Sequence, residues 1–185
     1  SFHKEFGTAG IRSVKVEARP GDITVTRADD DRISISGERV AYGPSNQIAE
    51  ERLRYVCLDA VQDGDVVRVV GSIWQPEPSS PNPAGPNGGF TNIVLRVPPG
   101  LAICLQTPAG KVALDGLTGT VEAHVDMGSI EAKSMTGDLI LRTSAGRISV
   151  TNAAIKEELS LTTSMGDIEF EVSLGARNHV EVAAG

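Results

Sequence analysis

Apolar residues along this chain recur at every second position, in short runs broken by turn residues. Val14 and Val16, Ile23 and Val25, and Ile33 and Ile35 alternate with mostly polar neighbours. So do Leu95 and Val97, Ile103 and Leu105, Leu159 and Leu161, and Val180 and Val182. A period of two marks a strand with one face in a core and the other in water. The plentiful Val, Ile and Thr suit that conformation, and the pattern predicts an all-β chain. One stretch departs from it: between Asn46 and Arg54, the residues Ile48, Ala49 and Leu53 share a helical face, which predicts a single short helix.

A second periodicity overlies the first. Gly110, Gly119, Gly128, Gly137 and Gly146 are nine residues apart, and Gly166 resumes the series after a gap of twenty. Two places after each glycine comes Val112, Val121, Ile130, Leu139, Ile148 or Ile168. Four places after comes Leu114, Ala123, Ala132, Leu141, Val150 or Phe170. A strand of about five residues and a turn of about four make a unit of this size, and the glycine supplies the turn with backbone conformations a β-carbon forbids. A slower period is also present. Thr107-Pro108-Ala109-Gly110, Val125-Asp126-Met127-Gly128, Thr143-Ser144-Ala145-Gly146 and Thr163-Ser164-Met165-Gly166 are related by steps of 18, 18 and 20, while Leu117-Thr118-Gly119 and Met135-Thr136-Gly137 form an alternate class. Two unit types per coil predict a β-solenoid, a single-stranded β-helix with 18 residues per repeat pair, in which each coil buries its apolar row against its neighbours. Ile130, Leu139, Leu141, Ile148, Val150, Ile168 and Phe170 are expected inside, and Glu131, Arg142, Ser149 and Glu169 outside.

The TSxGxIxV pattern (Thr143 to Val150, and Thr163 to Phe170) resembles the DUF4097 family, also called toastrack or adhesin-type domains. VPPGLAICLQTPAGKVAL, residues 97 to 114, is similar to that family's approach to its repeats, and FHKEFGTAGIRSVKVEARPGDITV, residues 2 to 25, to its opening. The resemblance spans essentially the whole chain. It implies a bacterial β-solenoid, exported or membrane-tethered, in a family without established catalytic residues. On that basis the expected function is a non-catalytic scaffold or adhesin-like interaction module of the cell envelope, located extracytoplasmically, with an N-terminal signal or anchor preceding Ser1. No catalytic, cofactor-binding or metal residues carry over.

Composition narrows the partners. A net charge of -7, with the 17 Lys and Arg scattered, argues against nucleic acid, whose phosphates call for clustered basic residues. One Trp, two Tyr and four Phe are too few for the stacking platforms that hold single strands or sugars. No apolar run approaches a membrane span. QPEPSSPNPAGPNGG, residues 75 to 89, holds five of the ten prolines and three glycines, so no ladder can run through it. Strands with similar patterns flank it, which predicts one domain over residues 1 to 185 carrying a surface loop. Trp74 and Phe90 bracket that loop and are the candidate partner contact, toward a protein or cell-surface partner; an oligomer is compatible with the same pattern.

Gly-Asp pairs at Asp22, Asp65, Asp138 and Asp167 invite comparison with calcium-binding β-rolls. Yet Lys111, Thr120, Ser129 and Arg147 occupy the aspartate position in the other units, and calcium needs six or more oxygens. The aspartates are better read as turn formers that bond the local backbone. Asp29-Asp30-Asp31 reads as a solvated turn. His3, His124 and His179 are dispersed. Cys57 and Cys104 lack zinc-ligand spacing; they read either as one disulfide, if their Cα atoms come close enough, or as two small half-buried side chains. Two rival functions are a carbohydrate-active solenoid enzyme and a self-assembling, bactofilin-like protein. The enzyme would need paired carboxylates on the outer face, and Glu122 and Glu131 are the nearest approach to such a pair. With units alternating between faces, these two are expected on different sides.

Overall fold

The computed structural model describes residues 1–73, 89–175 and 178–185. Trp74 and nearly all of the Pro/Gly-rich stretch lie outside these residues. The described chain is all-β apart from one helix. In order it forms β1 (Phe2–Gly7), β2 (Ser13–Ala18), β3 (Ile23–Arg27), β4 (Arg32–Ala41), α1 (Asn46–Leu53), β5 (Val56–Asp63), β6 (Val66–Ile73) and β7 (Gly89–Val97). There follow β8 (Ala102–Ala109), β9 (Val112–Asp115), β10 (Thr118–Met127), β11 (Ile130–Lys133), β12 (Thr136–Ala145), β13 (Ile148–Met165), β14 (Ile168–Leu174) and β15 (His179–Ala184). The helix sits where the apolar spacing puts it. Ser45 caps it by accepting the Ile48 N–H at 3.4 Å, and Ile48, Ala49 and Leu53 are its half-buried face.

All strands belong to one hydrogen-bonded sheet, ordered β1-β4-β7-β3-β9-β11-β13-β12-β10-β8-β2-β6-β5, with β14 and β15 both on β13. The sheet folds back on itself as two arms. The 18-residue β13 is the bend, pairing through Ile148–Thr151 with β11 of one arm and from Ala154 to Met165 with β12 of the other. At the opposite extremity β1 and β5, each paired antiparallel to its neighbour, come together: Lys4 Nζ donates to the Ala60 carbonyl and lies 4.0 Å from Asp59 Oδ1. The sheet is thus barrel-like and nearly closed. The apolar residues of both arms fill the space between them as one cluster, from Ile11 to Leu161.

Within the arms, parallel strands stack with like residues in register. Val112, Ile130 and Ile148 align on one arm, and Ile103, Val121 and Leu139 on the other, each one level and 18 residues apart. The nine-residue spacing of the glycines is therefore half a level, with successive glycines at alternate corners. Gly110, Gly128, Gly146 and Gly166 stand above one another with φ between 144 and 151°. A Cβ on any of the last three would overlap the carbonyl oxygen of the glycine one level before. Each corner glycine is required twice, by its left-handed backbone and by this close approach. The recurring threonine also has a role. Thr107, Thr143 and Thr163 are buried, and their hydroxyls donate to the carbonyls of Gly21, Gly128 and Gly146 one level away, at 3.0, 3.3 and 3.3 Å.

The step of twenty has a local cause. Gly137 pairs with Ile155 but Leu139 with Leu159, so two extra residues bulge out of β13. The Asp138 carboxylate accepts the N–H groups of Glu157 and Glu158 at 2.9 and 3.1 Å, replacing the ladder bonds the bulge removes.

The inside-outside register follows the alternation. Ile130, Leu139, Leu141, Ile148 and Val150 are at most 1 % exposed, and Arg142 and Glu169 face water, with Glu131 and Ser149 half-exposed. Two expected core residues differ: Ile168 is only half-buried and Phe170 is 46 % exposed. Both point toward the core, but β14 is the last level on its arm, and no further strand covers it among the described residues.

Candidate interaction surfaces

Three of the Gly-Asp pairs lie at corners and the fourth, Gly64-Asp65, in the β5–β6 hairpin turn, and their aspartates are already engaged. Asp22 Oδ1 accepts the Lys111 N–H of the next level at 2.8 Å, and Asp138 holds the β13 bulge. Asp167 pairs with Arg147 at 3.3 Å, and Asp65 lies 3.9 Å from Arg12. The sequence reading assigned these carboxylates to their own turns; Asp22 and Asp138 instead tie one level to another. A carboxylate spent on backbone N–H groups has little left for a cation, and no group of three or more potential ligands assembles among the described residues. Millimolar calcium is expected to leave the melting temperature unchanged; a rise of several degrees on titration would restore the β-roll reading.

The other candidate groups stay apart. Asp29 pairs with Arg96 at 3.7 Å and Arg32 with Glu5 at 3.1 Å, so the acidic turn is offset by two guanidinium groups around a hollow of about 230 Å³. His3 lies 3.6 Å from Glu5 and His124 Nε2 2.9 Å from Asp126 Oδ1, both at the surface, while His179 is exposed on β15. Glu122 sits on β10 and Glu131 on β11, in different arms, and Glu131 is paired with Lys111 at 2.8 Å. Cys57 is exposed and Cys104 half-buried, and neither is in a disulfide. Burial pushes the Cys104 thiol up, with Glu122 adding to the effect, which is the opposite of what activates a cysteine nucleophile. The Glu17 carboxyl is held below its ordinary range first by the hydrogen bond from Lys15 and, against partial desolvation, by that from Arg19.

Phe90 opens β7 at the foot of the Pro/Gly-rich stretch and is half-buried. Its ring meets that of Tyr42 at a centroid distance of 5.7 Å and a tilt of 44°. Tyr42 is 56 % exposed, and its carbonyl accepts from Arg52 of α1 at 2.7 Å. β4 supplies the antiparallel neighbour, with Val40 across from Phe90, and α1 closes the margin against Arg39, Val40 and Ala41. The result is a small aromatic platform on the body of the protein. Tyr42 was not anticipated from sequence, because the pairing of β4 with β7 spans some fifty residues and leaves no local signal.

The outward positions form ladders. On one arm Thr24, Ala113, Glu131, Ser149 and Glu169 succeed one another in register. On the other Lys15, Cys104, Glu122, Ile140, Ser160 and Glu181 do so. A shallow groove of about 230 Å³ runs along the first arm, between Thr24, Thr26, Asp115, Glu131 and Lys133. No helix of the described residues is long and apolar enough to cross a membrane.

No protein-family model matches the sequence, and neither does any curated protein. Among solved structures, the chain is similar to a "putative cell adhesion protein" from Clostridium sporogenes, at 11% identity and a TM-score of 0.46, covering 100% of this chain and 98% of that one. It is also similar to a "putative adhesin" from Bacteroides fragilis, at 12% identity and a TM-score of 0.32, over 96% of each chain.

Proposed function

We propose that the chain is a single β-solenoid domain acting as a non-catalytic, adhesin-like interaction module of the bacterial cell envelope, outside the cytoplasm. The observation that carries this reading is the pair of outward ladders. Strands in parallel register repeat every 4.7 to 4.9 Å, so each arm sets its outward side chains at a fixed pitch on a backbone that the corner glycines lock, with Ser160 alone among the named ladder residues buried. Such a surface suits several weak contacts along an extended partner better than the closure of a pocket around a reacting atom. Glu122 and Glu131 lie on different arms and Glu131 is paired with Lys111, so these two do not form the carboxylate pair that glycoside chemistry needs.

The Tyr42–Phe90 platform is the contact edge within this reading. An exposed aromatic combines large contact area with little lost rotamer freedom. Two assays on the purified chain test the function together: saturable association with bacterial cells by flow cytometry, and release of reducing sugar from envelope polysaccharides. Saturable association without sugar release is expected. Turnover of polysaccharide, or no association at all, overturns the reading. Tyr42→Ser with Phe90→Ser is expected to weaken association at least ten-fold, and unchanged association removes this edge from the binding account.

A further inference from the structure

The two extremities of the sheet are finished differently. At one, β1 and β5 converge and Lys4 bridges them, with Phe2 and Phe6 packed on the core. At the other, β14 and β15 bond to β13 on one side and to no strand on the other among the described residues. Their inward row is wholly apolar and incompletely covered: Phe170 is 46 %, Leu174 53 %, and Val180 and Val182 each 42 % exposed, whereas Leu159 and Leu161 one level below are at 0 %. Natural sheets blunt an exposed edge with inward-pointing charge, proline or lysine. The described residues of this edge include no proline, lysine or inward-pointing charge, though they carry outward glutamates and adjoin a register shift in β13, and the edge presents the unpaired N–H and C=O groups of two strands beside an apolar mouth.

Charge decides what fits. From Glu157 onward the chain has six carboxylates against one arginine, and Glu169, Glu171 and Glu181 occupy outward positions on the two edge strands. A second copy of the chain, related by a two-fold axis, would run β14 antiparallel to its counterpart. Setting Phe170 opposite Phe170 then puts Glu169 opposite Glu171, and setting Phe170 opposite Val172 puts Glu171 opposite itself; setting Val172 opposite itself avoids these pairs but leaves Glu169 and Glu171 without a basic partner. Like charges across a strand pair are destabilising. At the far extremity β1 and β5 are edge strands joined to each other through the Lys4 side chain.

We propose that the free edges of β14 and β15 are a β-augmentation site for an extended segment of a partner protein that alternates apolar residues with Lys or Arg. Main-chain bonds would continue the ladder, the apolar residues would cover Phe170 and its neighbours, and the basic residues would pair with the outward glutamates. The proposal is independent of the Tyr42–Phe90 platform, which lies at the opposite extremity on β4 and β7.

Fluorescence polarisation with labelled peptides tests it on the full chain. Three are needed: one alternating Val and Lys, one alternating Val and Glu, and one with the Val and Lys residues in two blocks. The alternating Val/Lys peptide is expected to bind saturably and at least ten-fold more tightly than either of the others. The triple variant Glu169→Lys, Glu171→Lys, Glu181→Lys, all at outward positions, is expected to reverse the preference toward the Val/Glu peptide. Phe170→Asp is expected to abolish binding, and the triple variant stands as the test should that substitution unfold the protein. Equal binding of the blocked peptide reduces the effect to bulk charge and overturns the proposal, as does absence of saturable binding. A dimer at micromolar concentration by light scattering, dissociated by the Phe170→Asp change, would give the edge to a second copy and overturn it equally.

Discussion

Replacing Gly128 with alanine is expected to lower stability by about 3 kcal/mol or more, since a non-glycine residue in an unfavourable region costs about 1–3 kcal/mol before any clash is counted. Its φ is 144°, and a Cβ there overlaps the Gly110 carbonyl oxygen. That oxygen belongs to backbone held in register on both sides, so it has little room to retreat. Gly64 provides the control. Its φ is also positive, at 62°, but nothing lies within 4 Å of the Cβ position. Gly64→Ala should therefore show the conformational cost alone, about 1–2 kcal/mol. Urea unfolding of the two variants measures the difference, which combines the close approach with the less favourable φ of 144°. Equal losses would mean that the stacked corners relax freely and that the close approach has no energetic weight.

Leu141→Ala is expected to cost about 2–5 kcal/mol, through lost transfer energy and the cavity left behind. Leu141 is at 0 % exposure, aligned with Ala123 below and Leu161 above. The alanine neighbour cannot spread into the vacated volume, which argues for the upper part of the range. Phe170→Ala removes more atoms from an equivalent inward position, yet it should cost less, because that ring is 46 % exposed already. Chemical denaturation would rank the two. If the phenylalanine proved the costlier, the last level would have to be covered in solution.

What was legible in the sequence was whatever a single level determines by itself. Alternation placed Ile130, Leu139 and Leu141 inside, the helical spacing at Ile48, Ala49 and Leu53 placed the helix, and the glycine period placed the corners. Relations between levels left a weaker trace. The gap of twenty was visible, but not that Asp138 would bridge the bulge that causes it, since an Asp after a turn glycine looks the same whether it bonds its own turn or the next level. Phe170 was read as core because its phase along the strand is correct; phase says which way a side chain points, and only a neighbouring strand decides whether it is covered. The partnership of Tyr42 with Phe90 depends on an antiparallel pairing of distant segments, for which the local pattern holds no information. Of the expected contact pair, Phe90 was found beside an exposed aromatic, and Trp74 lies outside the described residues.

The insertion of β3 between β7 and β9 has a consequence for the order in which the molecule assembles. Within the repeats each new level closes a loop of 18 residues, as Val112 meets Ile130. Bringing β3 to β9, where Ile23 meets Val112, closes one of 89, as the Asp22 bond to Lys111 also does. The chain-entropy difference is about 1.4 kcal/mol from the logarithmic dependence on loop length. It falls on a strand of only five residues, whose docking surface exists only once β9 has formed. The nascent chain emerges with β1 to β6 first; β1 with β4, β2 with β6 and β5 with β6 are partners within that segment, but β3 must wait for both of its neighbours, β7 and β9, a template encoded downstream. The repeats supply that template by zipping up locally, level on level, and the N-terminal strands then close the sheet upon it.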